Sequence, residues 1–526
     1  MVTLLDYGAG NVRSVINALE LLGARVKVAA SGADILDADQ LVFPGVGSFG
    51  SMMQSLESRG FVEPLRRYLA ADRPFLGICL GLHALFESSE EAPGVPGLGV
   101  LRGRVERFRV DRSIPHIGWN GIHPHWPSSM LNGLRRNEKL YFVHSYHVVP
   151  EDESVVLTTT DYGIRFVSAI QRGQIVATQF HPEKSGRAGL GILRSFLAGD
   201  ATATAPPVTP GPTRLAKRII ACLDVRANDA GDLVVTKGDQ YDVREAGAVR
   251  NLGKPVELAR RYYQEGADEI AFLNITGFRH FPLDDLPLLE VLERTSRDVF
   301  VPLTIGGGIR EYTDANGRHN SALEVAGRYF RSGADKVSIG SDAVEIVEQY
   351  LATGHATGQS SIEQIAHVYG SQAVVISVDP RRVYVTNRAD APPGVRTIET
   401  ATPGPNGERY CWYECTIKGG REGRPVDAIT LASTCEALGA GEILLNCIDR
   451  DGTNAGFDLE LNRAVEEAVS IPVIASSGAG KVEHFSEVFA HANVEAALAA
   501  GIFHRREVPI ASVKAHLRAA GIEIRR

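Results

Sequence analysis

Residues 301–309 read VPLTIGGGI, and residues 471–480 read IPVIASSGAG. Each stretch is an apolar run that begins near a proline and ends in small residues. The number of residues that separates the two members of a pair differs between this pair and the two pairs given below, so insertions interrupt the repeat. The pattern predicts a barrel built from two similar halves. Two further pairs repeat in the same order: ACLDV (221–225) with ISVDP (376–380), and GADEIAFLN (266–274) with GAGEILLNC (439–447).

Strand-like runs alternate with helical stretches throughout this part of the chain. Near-continuous apolar strands of this kind are typical of a parallel sheet that is buried on both faces. Eight such units predict a (β/α)8 TIM barrel over residues 214–526. An insertion near 389–423 reads as an extended β-hairpin loop after the fifth strand. The eight strand candidates lie at 219–225, 269–276, 300–308, 336–340, 373–379, 442–449, 471–480 and 495–501.

A segment without apolar periodicity precedes the barrel. Residues 198–213 read AGDATATAPPVTPGPT, and we interpret them as an interdomain linker. Residues 1–197 alternate short β-branched runs with helical stretches, and the runs end at Gly, Pro, Cys or His. This first part therefore predicts an α/β domain whose functional residues lie at the carboxyl ends of strands.

Composition narrows the classes of function. The formal net charge of the 526 residues is −8 and no Lys/Arg run is present, which argues against a nucleic-acid partner. No run of about 18 apolar residues predicts a membrane span. The six cysteines are sparse and indicate a reducing compartment. The start, MVTLLDYGAGNV, lacks the pattern of a signal or transit peptide. We expect a cytoplasmic protein, or a plastid one if a transit peptide has been removed, with no cofactor and no metal.

The run FLGICLGLHALF (75–86) takes a strand into a helix through a turn that contains Cys79. Flanking glycines permit the sharp turn that presents a thiol, and a helix amino terminus favours the nucleophilic thiolate. In QFHPEKS, His181 ends another strand and Glu183 follows two residues later. A base needs an acceptor that orients its other ring nitrogen, and His-x-Glu supplies both roles. Alone, the cysteine could equally be a core residue, and HPE a capped turn.

Cys79, His181 and Glu183 together resemble the triad of class I glutamine amidotransferases. The PGVG run (44–47) resembles the oxyanion strand of that family, where Val46 and Gly47 would turn backbone amides toward a tetrahedral intermediate. Three further runs resemble the glutaminase of the imidazole glycerol phosphate synthase family: DYGAGNVRSV (6–15), PHIGWN (115–120) and YFVHSY (141–146). One position departs from the pattern of that family, because His83 stands where its members usually have Gln. This departure leaves the affinity for glutamine open.

Asp224 and Asp379 end the first and fifth predicted strands, on opposite sides of the barrel mouth. Two carboxyls across one pocket suit general acid/base catalysis, although strand-end aspartates also cap loops. The surrounding motifs resemble the cyclase of the same synthase family, and the glutaminase-first order resembles its fused fungal and plant forms. These motifs are KRIIACLDV (217–225), VVTKGD (234–239), GGGIR (306–310), GADKVSIG (333–340), CIDRDGT (447–453) and ASSGAG (475–480).

Glycine-rich strand ends expose backbone N–H groups that can bind phosphate, although such glycines also simply make turns. The repeat predicts one phosphate site on each half of the barrel, and hence a ligand with a phosphate at each end. Lys237, Asp449 and Asp451 are candidates for further positioning groups. The first site would contain Gly307, Gly308, Gly340 and Ser341, and the second Gly452, Ser477, Gly478, Ala500 and Gly501.

Charged residues also stand at four strand starts: Arg218, Glu269, Lys336 and Glu442. Inward-facing charges cannot stay unpaired without a large cost, so we expect a salt-bridged ring that closes the barrel bottom. A solvated surface ring is the alternative. The family resemblance implies that this ring is an ammonia gate facing the glutaminase.

The resemblance also implies the reaction. Glutamine would be hydrolysed to glutamate and ammonia, and the ammonia would be channelled into the barrel. There it would convert a bis-phosphorylated ribulosyl-formimino aminoimidazole carboxamide ribotide into imidazole glycerol phosphate and aminoimidazole carboxamide ribotide. Both activities lie in one chain, so no partner subunit is expected. Two alternatives are the barrel isomerase of the same pathway and a non-enzymatic scaffold with a glutaminase-like module impaired at His83.

Overall fold

The computed structural model describes residues 1–8, 10–135, 137–199, 213–228, 232–236, 244–245, 248–249, 251–275, 283, 286 and 288–526. The amino-terminal domain is built on a mixed sheet of eleven strands. Its helices are α1 (Val12–Leu21), α2 (Gly32–Leu36), α3 (Phe49–Ser58), α4 (Val62–Ala70), α5 (Leu80–His83) and α6 (Gly186–Ala198). Its strands are β1 (Val2–Leu4), β2 (Val26–Val28), β3 (Gln40–Phe43), β4 (Phe75–Ile78), β5 (Ser88–Ser89), β6 (Gly103–Arg107), β7 (His116–Asn120), β8 (His123–Pro124), β9 (Leu140–His144), β10 (Tyr146–Pro150), β11 (Val156–Tyr162), β12 (Ile164–Arg172) and β13 (Ile175–Thr178).

The order β2-β1-β3-β4-β13 is parallel and leads into the antiparallel strands β12, β10 and β6. Because β4 and β13 are parallel neighbours, their carboxyl ends meet at one edge of the sheet. Cys79 follows β4 directly, and His181 lies three residues after the end of β13. The topology therefore brings together two residues that are about a hundred positions apart in sequence.

The second domain contains a closed barrel of eight parallel strands, in agreement with the predicted fold class. Its strands, with those of its loops, are β14 (Arg218–Ala227), β15 (Leu233–Thr236), β16 (Arg244–Glu245), β17 (Ala248–Val249), β18 (Glu269–Asn274), β19 (Leu303–Gly306), β20 (Tyr312–Thr313), β21 (His319–Asn320), β22 (Lys336–Ile339), β23 (Val374–Val378), β24 (Pro380–Val385), β25 (Ile398–Glu399), β26 (Tyr410–Ile417), β27 (Glu422–Asp427), β28 (Glu442–Asn446), β29 (Val473–Ser476) and β30 (Ala496–Ala499). Its helices are α7 (Pro255–Gln264), α8 (Leu289–Thr295), α9 (Ala322–Ser332), α10 (Ser341–Thr353), α11 (Ser361–Tyr369), α12 (Ala428–Ala437), α13 (Leu459–Glu466), α14 (Val482–His491), α15 (Gly501–His504) and α16 (Ile510–Ala519).

The barrel runs in the order β14-β18-β19-β22-β23-β28-β29-β30 and closes by pairing β30 with β14. Seven of the eight strand candidates contain one of these strands, and the first, 219–225, lies within β14. The insertion differs from the predicted hairpin, because β24, β25, β26 and β27 form a four-stranded antiparallel sheet that begins at Pro380. Most of the proposed linker lies outside the described residues.

Side chains alternate between the two faces of a strand, so residues separated by an even number of positions share a face. On β14, Ile220 and Cys222 belong to the apolar cluster inside the barrel, whereas Ile219 packs outward in the larger core. The same period puts Arg218 and Asp224 on the inner face, at the bottom and the top of the strand. Strand β14 thus contributes a charged side chain to each end of the barrel interior.

The amino-terminal domain covers the bottom of the barrel, where the strands begin. Trp119 Nε1 donates to the Asp268 carbonyl at 3.1 Å, and Arg525 stacks over the Trp119 ring. The cavity at the carboxyl ends of the strands lies at the opposite end of the barrel. Other contacts with barrel residues that precede strands include Gly186 N–H to Phe300 O (3.0 Å), Asn11 Nδ2 to Asp335 Oδ1 (2.8 Å), Ile114 N–H to Ser470 O (2.8 Å) and Ser113 Oγ to Glu495 Oε1 (2.7 Å).

Candidate functional site

Cys79 sits in a strained turn between β4 and α5. Its φ of 52° and ψ of −101° lie outside the regions that non-glycine residues ordinarily adopt, and such strain is typical of a presented nucleophile. Its N–H donates to the Thr178 carbonyl at 2.7 Å. A Cβ at Gly81 would lie 2.1 Å from the Phe43 carbonyl oxygen, so only glycine fits this close approach.

His181 and Glu183 form a buried pair next to this turn. His181 Nδ1 lies 2.8 Å from Glu183 Oε1. Burial opposes the imidazolium, but the Glu183 carboxylate and the Cys79 side chain outweigh it and raise the pKa of His181 to about 10. The imidazole is therefore protonated near neutral pH, which suits an ion pair with a cysteine thiolate.

Gln179 is a neighbour of the nucleophile that the sequence reasoning did not single out. Its Nε2 donates to Cys79 Sγ at 3.5 Å, and its Oε1 lies 2.8 Å from His83 Nε2. Burial lowers the pKa of His83 to about 4, so the ring is neutral and donates through Nε2. His83 therefore orients Gln179 toward the sulfur. Gln179 lies within the QFHPEKS run, but nothing in the sequence says that its amide points at Cys79.

This geometry makes a prediction for His83→Ala. The substitution should lower kcat for glutamate release about tenfold, because the Gln179 amide loses the bond that aims it at the sulfur. KM for glutamine should change less than twofold, roughly, since His83 acts on the thiol and not on the substrate. His83→Gln, which keeps a donor, should restore most of the rate. A higher KM with unchanged kcat would contradict this role and indicate direct contact with glutamine.

The PGVG run lies against the nucleophile turn. A Cβ at Gly45 would come within 2.3 Å of Leu80 Cβ, and Leu80 directly follows Cys79. Gly47 has a φ of 140°, and the Val46 carbonyl accepts a hydrogen bond from the Tyr7 hydroxyl at 2.7 Å. Val46 and Gly47, the predicted oxyanion residues, thus lie in the loop between β3 and α3, next to the turn that contains Cys79.

The second site is a cavity of about 360 Å³ at the carboxyl ends of the barrel strands. Asp224 and Asp379 both line it. Burial raises the pKa of Asp379, while Asn446 Nδ2, which donates to its Oδ1 at 2.9 Å, acts in the opposite direction. A buried carboxyl with a raised pKa can hold a proton for donation.

Asn446 also lines the cavity and was not among the predicted residues. The repeat gave no signal for Asn446, because the match of GADEIAFLN (266–274) with GAGEILLNC (439–447) places Leu273, and not Asn274, opposite Asn446. Asp449 differs from its expected role. Its carboxylate accepts the Arg382 N–H at 2.6 Å and does not belong to the cavity lining.

The described residues of both predicted phosphate sites line this cavity. Several have positive φ, including Gly307 (89°), Gly478 (97°) and the non-glycine Ser477 (71°). Asp451 also lines the cavity, whereas Lys237 lies outside the described residues. The lining includes Gly307, Gly308, Gly340 and Ser341 from one half, and Gly452, Ser477, Gly478, Ala500 and Gly501 from the other.

At the barrel bottom, two cations and two carboxylates form a closed ring in which no residue is more than 1% exposed. The opposing charges pair alternately around it. Burial disfavours the charge on Glu442, but Arg218 and Lys336 outweigh this and lower its pKa. The distances are 2.9 Å for Arg218–Glu269, 2.5 Å for Arg218–Glu442, 2.5 Å for Lys336–Glu269 and 2.7 Å for Lys336–Glu442.

The triad and the ring are joined by short segments. The His181 N–H donates to the Tyr141 carbonyl at 2.9 Å. Burial and the nearby Glu269 and Glu442 carboxylates raise the pKa of Tyr141, while Arg218 acts in the opposite direction. Lys184, next to Glu183, pairs with Asp335 at 2.7 Å, and Asp335 immediately precedes Lys336. The Cys79–His181–Glu183 group thus lies directly below the charged ring.

Comparison with known proteins agrees with this geometry. Residues 3–198 match the family described as glutamine amidotransferase class-I, and residues 218–509 match the family described as histidine biosynthesis protein. The chain is thus an enzyme that joins a glutamine amidotransferase domain to a histidine-biosynthesis barrel.

Relatives cover the whole chain. It is 59% identical to the chloroplastic imidazole glycerol phosphate synthase hisHF of Arabidopsis thaliana, over 100% of this chain and 89% of the relative. It is 54% identical to imidazole glycerol phosphate synthase hisHF of Schizosaccharomyces pombe, over 98% of each. The subunit HisF of Methanothermobacter thermautotrophicus is 41% identical and matches 59% of this chain. The chain belongs to the imidazole glycerol phosphate synthase family, in its fused form, which excludes the isomerase alternative.

Among the described residues, no three His, Cys, Asp or Glu side chains are grouped to hold a metal ion. Within the same part of the chain, no helix has the length and apolar character needed to cross a membrane. The glutaminase and cyclase domains lie in one chain, so the two activities need no separate partner subunit.

Proposed function

We propose that this chain hydrolyses glutamine at Cys79, passes the ammonia through the charged ring, and uses it at the opposite end of the barrel. The observation that carries the proposal is the alignment of three features: a buried Cys–His–Glu group, a closed ring of charges above it, and a cavity with two carboxyls above the ring. The direct test is to supply either glutamine or ammonium as the only nitrogen source and to measure the imidazole product.

In the glutaminase step, the Cys79 sulfur attacks the side-chain amide carbon of glutamine. His181, oriented by Glu183 at 2.8 Å, gives a proton to the departing ammonia and then activates the water that releases glutamate. Backbone amides of Val46 and Gly47 stabilise the oxyanion. The raised pKa of His181 supports its role as the proton carrier.

In the cyclase step, ammonia replaces an oxygen function of the substrate, and the displaced oxygen leaves as water. Asp224 and Asp379 move protons during ring closure and during the cleavage that releases the aminoimidazole carboxamide ribotide. Asp379, whose pKa is raised by burial, acts as the proton donor. Asp224, across the mouth, accepts protons. The products are imidazole glycerol phosphate and aminoimidazole carboxamide ribotide.

The substrate class follows from the two glycine-rich edges of the cavity. Each edge offers backbone N–H groups to one phosphate, so a ligand with a phosphate at each end spans the mouth. A ribulosyl-formimino aminoimidazole carboxamide ribotide has this form. The printed names of the relatives support this assignment.

Ammonia passage through the ring makes a prediction for Lys336→Ala. Loss of the ammonium group leaves Glu269 and Glu442 short of a partner and opens the ring. Glutamate release should then exceed imidazole formation when glutamine is the only nitrogen source, while activity with added ammonium changes less. The measurement is the ratio of the two products in one reaction.

Lys27→Ala is the matched control, since Lys27 is half exposed and pairs with Asp34 far from the ring. Its ratio should stay at one glutamate per imidazole product. If Lys336→Ala, Arg218→Ala and Glu442→Ala all keep that ratio too, the ring is not the ammonia conduit.

The alternative of a non-enzymatic scaffold predicts that the amidotransferase domain, impaired at His83, releases no glutamate. The contact between His83 and Gln179 instead supports a working nucleophile at Cys79, and therefore glutamate release. The plastid location stays a prediction, which the chloroplastic name of the Arabidopsis relative supports.

A further inference from the structure

The insertion after β23 reaches the cavity with one of its turns. The turn between β26 and β27 spans residues 418–421, which read KGGR, and Lys418, Gly419 and Arg421 belong to the cavity lining. These three residues lie within one four-residue turn, so this turn is the part of the inserted sheet that borders the cavity.

The turn contacts one of the predicted phosphate-binding residues. The Lys418 N–H donates to Ser341 Oγ at 3.0 Å, and Lys418 has a φ of 55° that aims this N–H at the cavity edge. A hydroxyl that accepts from an N–H keeps its own hydrogen for another acceptor. Ser341 is therefore prepared to donate to a ligand oxygen.

The sheet that carries the turn is anchored on both sides. On one side, buried Arg382 pairs with Asp458 at 2.7 Å, and the Tyr413 hydroxyl donates to the same carboxylate at 3.0 Å. On the other side, the Arg424 guanidinium contacts Glu348 of α10, with its Nε 2.8 Å from Glu348 Oε1. The turn is thus held in place before any ligand arrives, which lowers the ordering cost of binding.

Charge in the cavity favours a phosphate contact at this turn. The edge formed by Gly307, Gly308, Gly340 and Ser341 offers backbone N–H groups and one hydroxyl, which carry no full charge. Four acidic residues line the cavity together with five basic ones, which are Arg226, Arg310, Lys418, Arg421 and Arg505. Among these basic residues, Arg421 lies on the turn whose Lys418 N–H contacts Ser341. Guanidinium groups bind phosphate in a bidentate manner, which Lys does less well. The acidic lining residues are Asp224, Asp342, Asp379 and Asp451.

We propose that Arg421 binds one phosphate of the substrate, at the edge that includes Ser341, and that the Lys418 N–H orients the Ser341 hydroxyl for the same phosphate. This inference rests on the proposed function. The insertion is then a part of the substrate site, and the cyclase cavity is completed by residues outside the eight-stranded repeat.

The test is Arg421→Ala, assayed with the ribotide and added ammonium so that the glutaminase does not contribute. Loss of a charge-assisted hydrogen bond should raise KM for the ribotide about 10- to 100-fold. We expect kcat to fall less than about threefold, because the residue binds ground state and transition state alike. Arg421→Lys should recover part of the affinity. Ser341→Ala should raise KM by a smaller factor.

Arg409→Ala is the matched control, since Arg409 directly precedes β26 of the inserted sheet, pairs with Glu399, and has a side chain that is 71% exposed. It should leave KM unchanged. If the unmodified chain forms no imidazole product from ammonium, the proposed function itself fails. If it does, and Arg421→Ala keeps the original KM or loses kcat alone, the phosphate contact at Arg421 is wrong.

Discussion

Cys79→Ala should abolish synthesis from glutamine while leaving synthesis from added ammonium intact. The substitution removes the atom that forms the covalent intermediate, so glutamate release should fall by more than about a thousandfold. The cyclase cavity lies at the other end of the barrel and contains no group that depends on this thiol. The measurement is the rate of imidazole formation with each nitrogen source, together with glutamate release.

A control substitution at another buried cysteine distinguishes loss of the catalytic thiol from loss of the fold. Cys435 is also fully buried, but it lies on α12 of the barrel, outside both sites. Cys435→Ala should retain both activities. Equal loss of the glutamine-fed and ammonium-fed rates in Cys79→Ala would mean that Cys79 is a structural residue, and the glutaminase mechanism would then be wrong.

The barrel could be predicted from the sequence because its strands are buried on both faces and therefore appear as apolar runs. The half-barrel repeat showed in addition that these runs recur in the same order in the two halves of the barrel. The charged strand start at Arg218 was also informative, since Arg218 and Asp224, nearer the other end of β14, are separated by six positions and must share the inner face. A buried ring of alternating charges follows from that period, once unpaired charges are excluded.

Other features depend on contacts that no local pattern encodes. The Gln179 amide points at Cys79 only because a buried, neutral His83 holds its oxygen. Asp449 and Asp451 are two residues apart, yet only Asp451 lines the cavity, because the Asp449 carboxylate is taken by the Arg382 N–H.

The structure of the insertion also depends on contacts that the local sequence does not encode. The sequence predicts an extended β-hairpin loop near 389–423, but β26 pairs with three other strands and a four-stranded sheet results. Strand partners this far apart in sequence are set by tertiary packing, which local propensity does not report.

Asp379→Asn should lower the cyclase rate by about 10²- to 10⁴-fold, the range that proton transfer usually contributes. The amide is nearly isosteric with the carboxyl but cannot give up a proton in the same way. The fold should be retained, because Asp379 lines the cavity and forms no ion pair with any residue in the described part of the chain. Asp224→Asn should lower the rate within the same range, since the two carboxyls act across one mouth.

The assay must use added ammonium, so that the glutaminase cannot limit the rate. Asp449→Asn is the control that matches the chemistry of the change: it lies on the loop that carries Asp451, keeps an oxygen that can accept from Arg382, and leaves the cavity unchanged. It should cyclise at close to the original rate. Burial raises the pKa of the Asp379 carboxyl, which favours the protonated form that the proposed acid needs. A near-normal rate in Asp379→Asn would show that another group supplies this proton, and the assignment of the cyclase acid would then fall.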